Sequence, residues 1–146
     1  MFADFLNRLT APEPDPMPDE DARLALTALL VRVARSDGDY DNAERAWIDR
    51  IAAQRYGMSP FEASKLRGEA ERLEAEAPDT VRFTRAIKDA VPHEARIGVI
   101  EALWQIALAD GERDAHEDSI LRMVSNFLGI NDRDSALARQ RVEGAG

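Results

Sequence analysis

The sequence predicts an all-α fold, and three observations carry that prediction. Apolar residues recur at three- and four-residue spacing through most of the chain. No run alternates convincingly with a period of two, and Pro and Gly fall between the periodic stretches as helix punctuation. A chain of 146 residues matches one compact domain of roughly 100 to 150 residues, large enough to bury a core without staples. The expected architecture is about six core helices with a further helix at each end.

The elements follow in order. Phe2, Phe5, Leu6 and Leu9 stand at helical spacing, so residues 1–10 form a short amphipathic helix. Residues 11–18 carry Pro12, Pro14, Pro16 and Pro18, which forbid regular helix, and read as an extended tether. The helical domain proper is then expected over residues 19–146. Asp19 is the expected N-cap of a helix that turns Leu26, Leu29, Leu30 and Val33 inward, and a second helix from about Asp41 presents Trp47, Ile48 and Ile51 and stops at Gly57. Ser59-Pro60-Phe61-Glu62 is a capping box with Pro at the first helical position, opening a helix that ends before Pro78. Asp79 caps the next, with Val81, Phe83, Ile87 and Val91 expected inward. After Pro92 a helix carries Ile97, Ile100, Leu103 and Trp104; another carries Ile120, Leu121, Val124 and Leu128 to a stop at Gly129. Asn131 or Asp132 starts a last helix running to about Val142.

One acidic signature occurs twice: Asp37-Gly38-Asp39-Tyr40-Asp41-Asn42-Ala43-Glu44 and Asp110-Gly111-Glu112-Arg113-Asp114-Ala115-His116-Glu117. Both copies place carboxylates first, third, fifth and eighth, with Gly second. The match extends outward at the same offset, pairing Leu30 with Leu103 and Ile48 with Leu121. After a one-residue slip it reaches Tyr56-Gly57-Met58-Ser59 against Leu128-Gly129-Ile130-Asn131. The chain is therefore expected to be a duplicated hairpin of helix, acidic turn and helix.

Composition narrows the function. With 28 acidic and 19 basic residues the net charge is −9 and the isoelectric point near 4.7. Such a surface repels phosphate backbones, so nucleic acid is not an expected partner. The absence of Cys removes disulfides, thiolate metal sites and Cys nucleophiles, and is compatible with a reducing cytosol. No apolar run reaches the ~20 residues of a membrane span and no export signal is visible, so a cytoplasmic location and no transmembrane segment are expected. No Ser-His-Asp ordering, phosphate loop or other catalytic motif appears, so no enzyme is expected. His93 reads as a surface residue near a helix start, His116 as a solvated first-turn residue, and Trp47 and Trp104 as core anchors.

Two readings of the acidic turns stand side by side. Asp41-x-x-Glu44 and Asp114-x-x-Glu117 have the form of capping boxes, and Gly38 and Gly111 suit left-handed helix ends, each good cap being worth about 1 kcal/mol. Asp37 and Asp110, however, fall at the negative end of a helix, which disfavours a carboxylate by on the order of several tenths of a kcal/mol. Four acids in eight residues call for a positive group: an Arg, helix N–H donors or a metal ion. Oxygen ligands alone would select Ca²⁺ or Mg²⁺. The candidate metal residues are Asp37, Asp39, Asp41 and Glu44 in the first turn and Asp110, Glu112, Asp114 and Glu117 in the second. An EF-hand is excluded, since Asn42 replaces the required Gly and Ile48 the bidentate Glu.

The doubled Ala-x-x-Asp-Gly-x-x-Asp-x-x-Glu, at Ala34 to Glu44 and Ala107 to Glu117, resembles the TerB family of tellurite-resistance-associated proteins, in the superfamily that includes the N-terminal domain of the co-chaperone DjlA. The resemblance covers residues 19–134 and implies an all-helical, internally pseudo-symmetric domain without catalytic activity. It also implies acidic clusters that hold divalent metal and a part in bacterial stress response. The N-terminal helix lies outside it. That helix is too short to stand alone and is left to dock on its own core, on a second copy as a homodimer, or on a protein partner, as a ligand-free adaptor would.

Overall fold

Eight helices make up the described residues of the computed structural model, which are 3–9, 19–36, 40–77, 79–109 and 115–145; no strand occurs among them. They are α1 (Ala3–Leu9), α2 (Asp19–Ser36), α3 (Asn42–Tyr56), α4 (Pro60–Glu76), α5 (Thr80–Ala90), α6 (His93–Ala109), α7 (Ala115–Phe127) and α8 (Asp132–Ala145). The tether at 11–18 lies outside the described residues.

Local chemistry sets the boundaries. The Asp41, Ser59 and Asp79 side chains each accept the backbone N–H three residues on, at 3.0, 3.2 and 3.0 Å. Ser59 and Glu62 complete the capping box, with Glu62 Oε1 accepting the Ser59 N–H at 3.1 Å. Those bonds hold the Glu62 carboxyl below its usual range. Gly57 and Gly129 end α3 and α7 with φ of 63° and 70°, left-handed values that burden any residue with a Cβ. α2 opens on Asp19 itself rather than being capped by it, and α8 runs on to Ala145.

Packing follows the duplication. α2 touches α3 as α6 touches α7, and across the two halves α2 meets α7 while α3 meets α6. α4 lies along α2 as α8 lies along α6. α4 packs on α3 as well. The core runs between the halves, with Leu26, Leu29, Ile48, Leu73, Phe83 and Ile100 fully buried. Trp104 is buried and its Nε1 donates to Ser135 Oγ on α8 at 3.2 Å, whereas Trp47 is half-buried on the margin.

Val81 corrects one expectation: it is 64% exposed. The buried face of α5 is Phe83, Thr84, Ala86, Ile87 and Ala90, and a residue two before Phe83 points to the far side of a helix. Phe5 enters the core cluster, and α1 packs on α5. No helix among the described residues is long and apolar enough to cross a membrane.

Candidate functional site

The first acidic turn leaves α2 after Ser36 and enters α3 at Asn42. Asp37, Gly38 and Asp39 lie outside the described residues, as do Asp110, Gly111, Glu112 and Asp114 of the second turn. Glu117 and His116 fall in the first turn of α7, with their side chains outside the description. Of the eight candidate ligands, Asp41 and Glu44 are therefore placed.

Asp41 is the N-cap of α3, its backbone extended (φ −97°, ψ −176°) and its Oδ1 bound to the Glu44 N–H. That oxygen is committed to helix architecture. Glu44 is half-buried in the first turn of α3. Among the described residues no three His, Cys, Asp or Glu side chains form a group able to hold a metal ion. The donor set written in the sequence is all oxygen and fits a hard cation, but any full coordination shell would draw on residues outside the description.

Beside the turn the structure assembles an ionic cluster that sequence spacing does not reveal. The Arg35 and Arg45 guanidiniums stand over the Tyr40 ring, 5.0 and 4.9 Å from its centroid. Arg35 also pairs with Glu74 Oε2 at 3.2 Å, and Arg45 with Glu71 Oε2 at 3.4 Å. Arg32 meets Glu74 Oε1 at 2.7 Å, its other nitrogens donating to the Glu74 carbonyl and Thr80 Oγ1. Arg67 bridges Asp49 at 2.7 Å and Glu71 at 3.2 Å. Burial and the Glu71 carboxylate beside it push the Tyr40 hydroxyl above its ordinary range.

The cluster ties the end of α2 and the first half of α3 to the second half of α4. Its carboxylates are paired with guanidiniums, which gives them an architectural role around the turn. Only the Arg67–Glu71 pair, one helical turn apart, has a local signal in the sequence; Arg32 and Glu74 are 42 residues apart.

These features define a class: an all-α bundle with one acidic stretch of sequence between α2 and α3 and another between α6 and α7. A family model described as Tellurite resistance protein TerB matches residues 23–140, from the first turns of α2 into α8. The chain belongs to the TerB family. No curated protein and no solved structure matches it.

Proposed function

We propose that this TerB chain is a non-catalytic, cytoplasmic module of a stress response that binds a hard divalent cation, Ca²⁺ or Mg²⁺, at its two acidic turns. The ligands would be Asp37, Asp39, Asp41 through its remaining oxygen, and Glu44; then Asp110, Glu112, Asp114 and Glu117. The observation that supports this reading most is the repetition of four carboxylates at one spacing in the sequence between α2 and α3 and again between α6 and α7. The arginines that flank the first turn in sequence, Arg35 and Arg45, already pair with Glu74 and Glu71 on α4. Their charge is shared, and the turn's own acids gain from a further cation.

The alternative, a ligand-free adaptor that docks a protein partner through its N-terminal helix, is weakened by Phe5, which the chain's own core buries. Calorimetric titration of Ca²⁺ and Mg²⁺ into metal-free protein separates the two. Saturable binding, lost in Asp37→Asn with Asp110→Asn, supports the metal reading, and a hundredfold excess over Kd should stabilise the fold by about 2.7 kcal/mol. Absence of heat and an unchanged melting curve reject it.

A further inference from the structure

A second polar site lies away from the acidic turns, where α2, α3 and the start of α6 meet. Ala22, Arg23, Leu26, Arg55, Tyr56 and Ala95 line an open pocket of about 220 Å³. Both arginines stand over the Tyr56 ring, Arg23 at 5.0 Å and Arg55 at 5.5 Å from its centroid.

The polar side chains that line it are two guanidiniums and one tyrosine. The Tyr56 hydroxyl and Arg55 Nε are both buried and lack a hydrogen-bond partner. Among the described residues neither guanidinium forms an ion pair, although the chain carries 28 acids for 19 basic residues. Guanidinium has five N–H donors and no acceptor, and a buried donor left unmade is costly. Burial holds Tyr56 protonated, its pKa pushed up to about 12 against the pull of the two arginines, so its O–H remains available to donate.

The seat for Arg55 is built from α6. Gly98 lies in that helix, and a Cβ there would fall 2.6 Å from Arg55 Cζ and Nη2, closer than atoms can approach. A mid-helix glycine is unfavourable relative to alanine, and its lack of a side chain here leaves the space that the guanidinium occupies.

We propose that this pocket binds a small free oxyanion, with the size and charge of phosphate or sulfate, held by Arg23, Arg55 and the Tyr56 hydroxyl. An oxyanion supplies acceptors only, and two guanidiniums with one hydroxyl match that demand by charge-assisted hydrogen bonds. Volume sets the size. About 220 Å³ is room enough for a tetrahedral anion and is below the ~300 Å³ at which pockets for drug-sized ligands begin. The site is independent of the metal reading.

The test titrates sodium phosphate and sodium sulfate into the full chain at low ionic strength by calorimetry, with sodium chloride as control. One saturable site is expected, weakened about tenfold or more by Arg55→Gln or Arg23→Gln and less by Tyr56→Phe. The amide signals of Ala22 and Ala95 in the unsubstituted chain should move saturably with phosphate and not with chloride, which needs no variant. Asp37→Asn with Asp110→Asn should leave phosphate binding intact. Equal responses to phosphate and chloride, or unchanged affinity in folded Arg55→Gln, overturn the proposal.

Discussion

Ser59 and Asn131 stand at corresponding points of the two halves. Ser59 Oγ accepts the N–H of Glu62 at 3.2 Å, and Asn131 Oδ1 accepts the N–H of Asp134 at 2.8 Å. Two residues before each is a left-handed Gly, and between them the Met58 and Ile130 N–H groups reach back to the Ala53 and Ser125 carbonyls at 3.3 and 2.8 Å. In both places a helix stop and a helix start are fused into one short connector, residues 57–59 and 128–131. Arg67–Glu71 and Arg139–Glu143, both i,i+4 pairs, then fall at matching places on α4 and α8.

Ser59→Ala and Asn131→Ala should each cost about 0.5 to 2 kcal/mol of stability, as should Asp41→Ala with metal removed. Urea unfolding read by circular dichroism measures this. Neutral results at all three would mean that solvent caps these helices equally well.

The contact between Arg55 and Gly98 predicts a coupling. Alanine is favoured over glycine in a helix by about 1 kcal/mol, but a methyl at Gly98 requires the Arg55 guanidinium to move, so Gly98→Ala should stabilise this chain by less than it stabilises an Arg55→Ala background. A double-mutant cycle reads the coupling, and equal stabilisation in both backgrounds would show that Arg55 is not held against α6.

How much of this was legible in the sequence depends on distance along the chain. The caps at Asp41, Ser59, Asp79 and Asn131 and the stops at Gly57 and Gly129 are decided within four residues, and the sequence shows them. Val81 was misplaced because an apolar residue was counted without its angle around the helix. The alignment of Ser59 with Asn131 hints that α4 and α8 correspond, but the packing of α4 on α2 and of α8 on α6 depends on distant contacts. Arg32 with Glu74, and Arg23 with Tyr56, are joined by folding alone and leave no spacing to find. For the acidic turns the pattern of carboxylates is plain, while Asp41 shows that one of them is spent on a cap.

Glu74 is 7% exposed and receives Arg32 and Arg35 together. Glu74→Gln keeps the shape and removes the charge that balances a largely buried guanidinium, so a loss of about 3 kcal/mol is expected. Replacing the pair, Glu74→Leu with Arg32→Met, should cost much less. If the double variant is as unstable as the single, the pair contributes through more than charge balance.

Both tyrosines of the chain are shifted in one direction. Tyr40 is raised by burial and by Glu71, and Tyr56 by burial to about 12. A folded pKa above the unfolded value of about 10 means that stability is full below pH ~10 and falls as pH rises towards 12. Absorbance at the phenolate band should therefore stay low in the native protein at pH ~10 and rise together with the loss of helix signal. Ionisation of either tyrosine near pH ~10 while the helices remain intact would show that burial does not hold its hydroxyl protonated.

Phe5 decides whether α1 belongs to the domain or is carried by it. The helix has seven residues, too few to persist alone in water, so its order depends on the burial of Phe5, 7% exposed, against a core that α5 helps to enclose. The family match begins at residue 23, beyond the tether, and the largest fully buried residues all lie between Leu26 and Ile130. A core Phe→Ala change usually costs about 3 to 5 kcal/mol, but here the loss is capped by the free energy of docking a single short helix, because undocking leaves the rest folded. Phe5→Ala should therefore abolish hydrogen-exchange protection in α1 while lowering the melting temperature by only a few degrees. Deleting residues 1–10 should match that smaller effect and expose part of the α5 surface. If either change instead unfolds the bundle or removes protection throughout α2 and α6, α1 is an integral wall of the core and residues 19–146 do not fold as an independent unit.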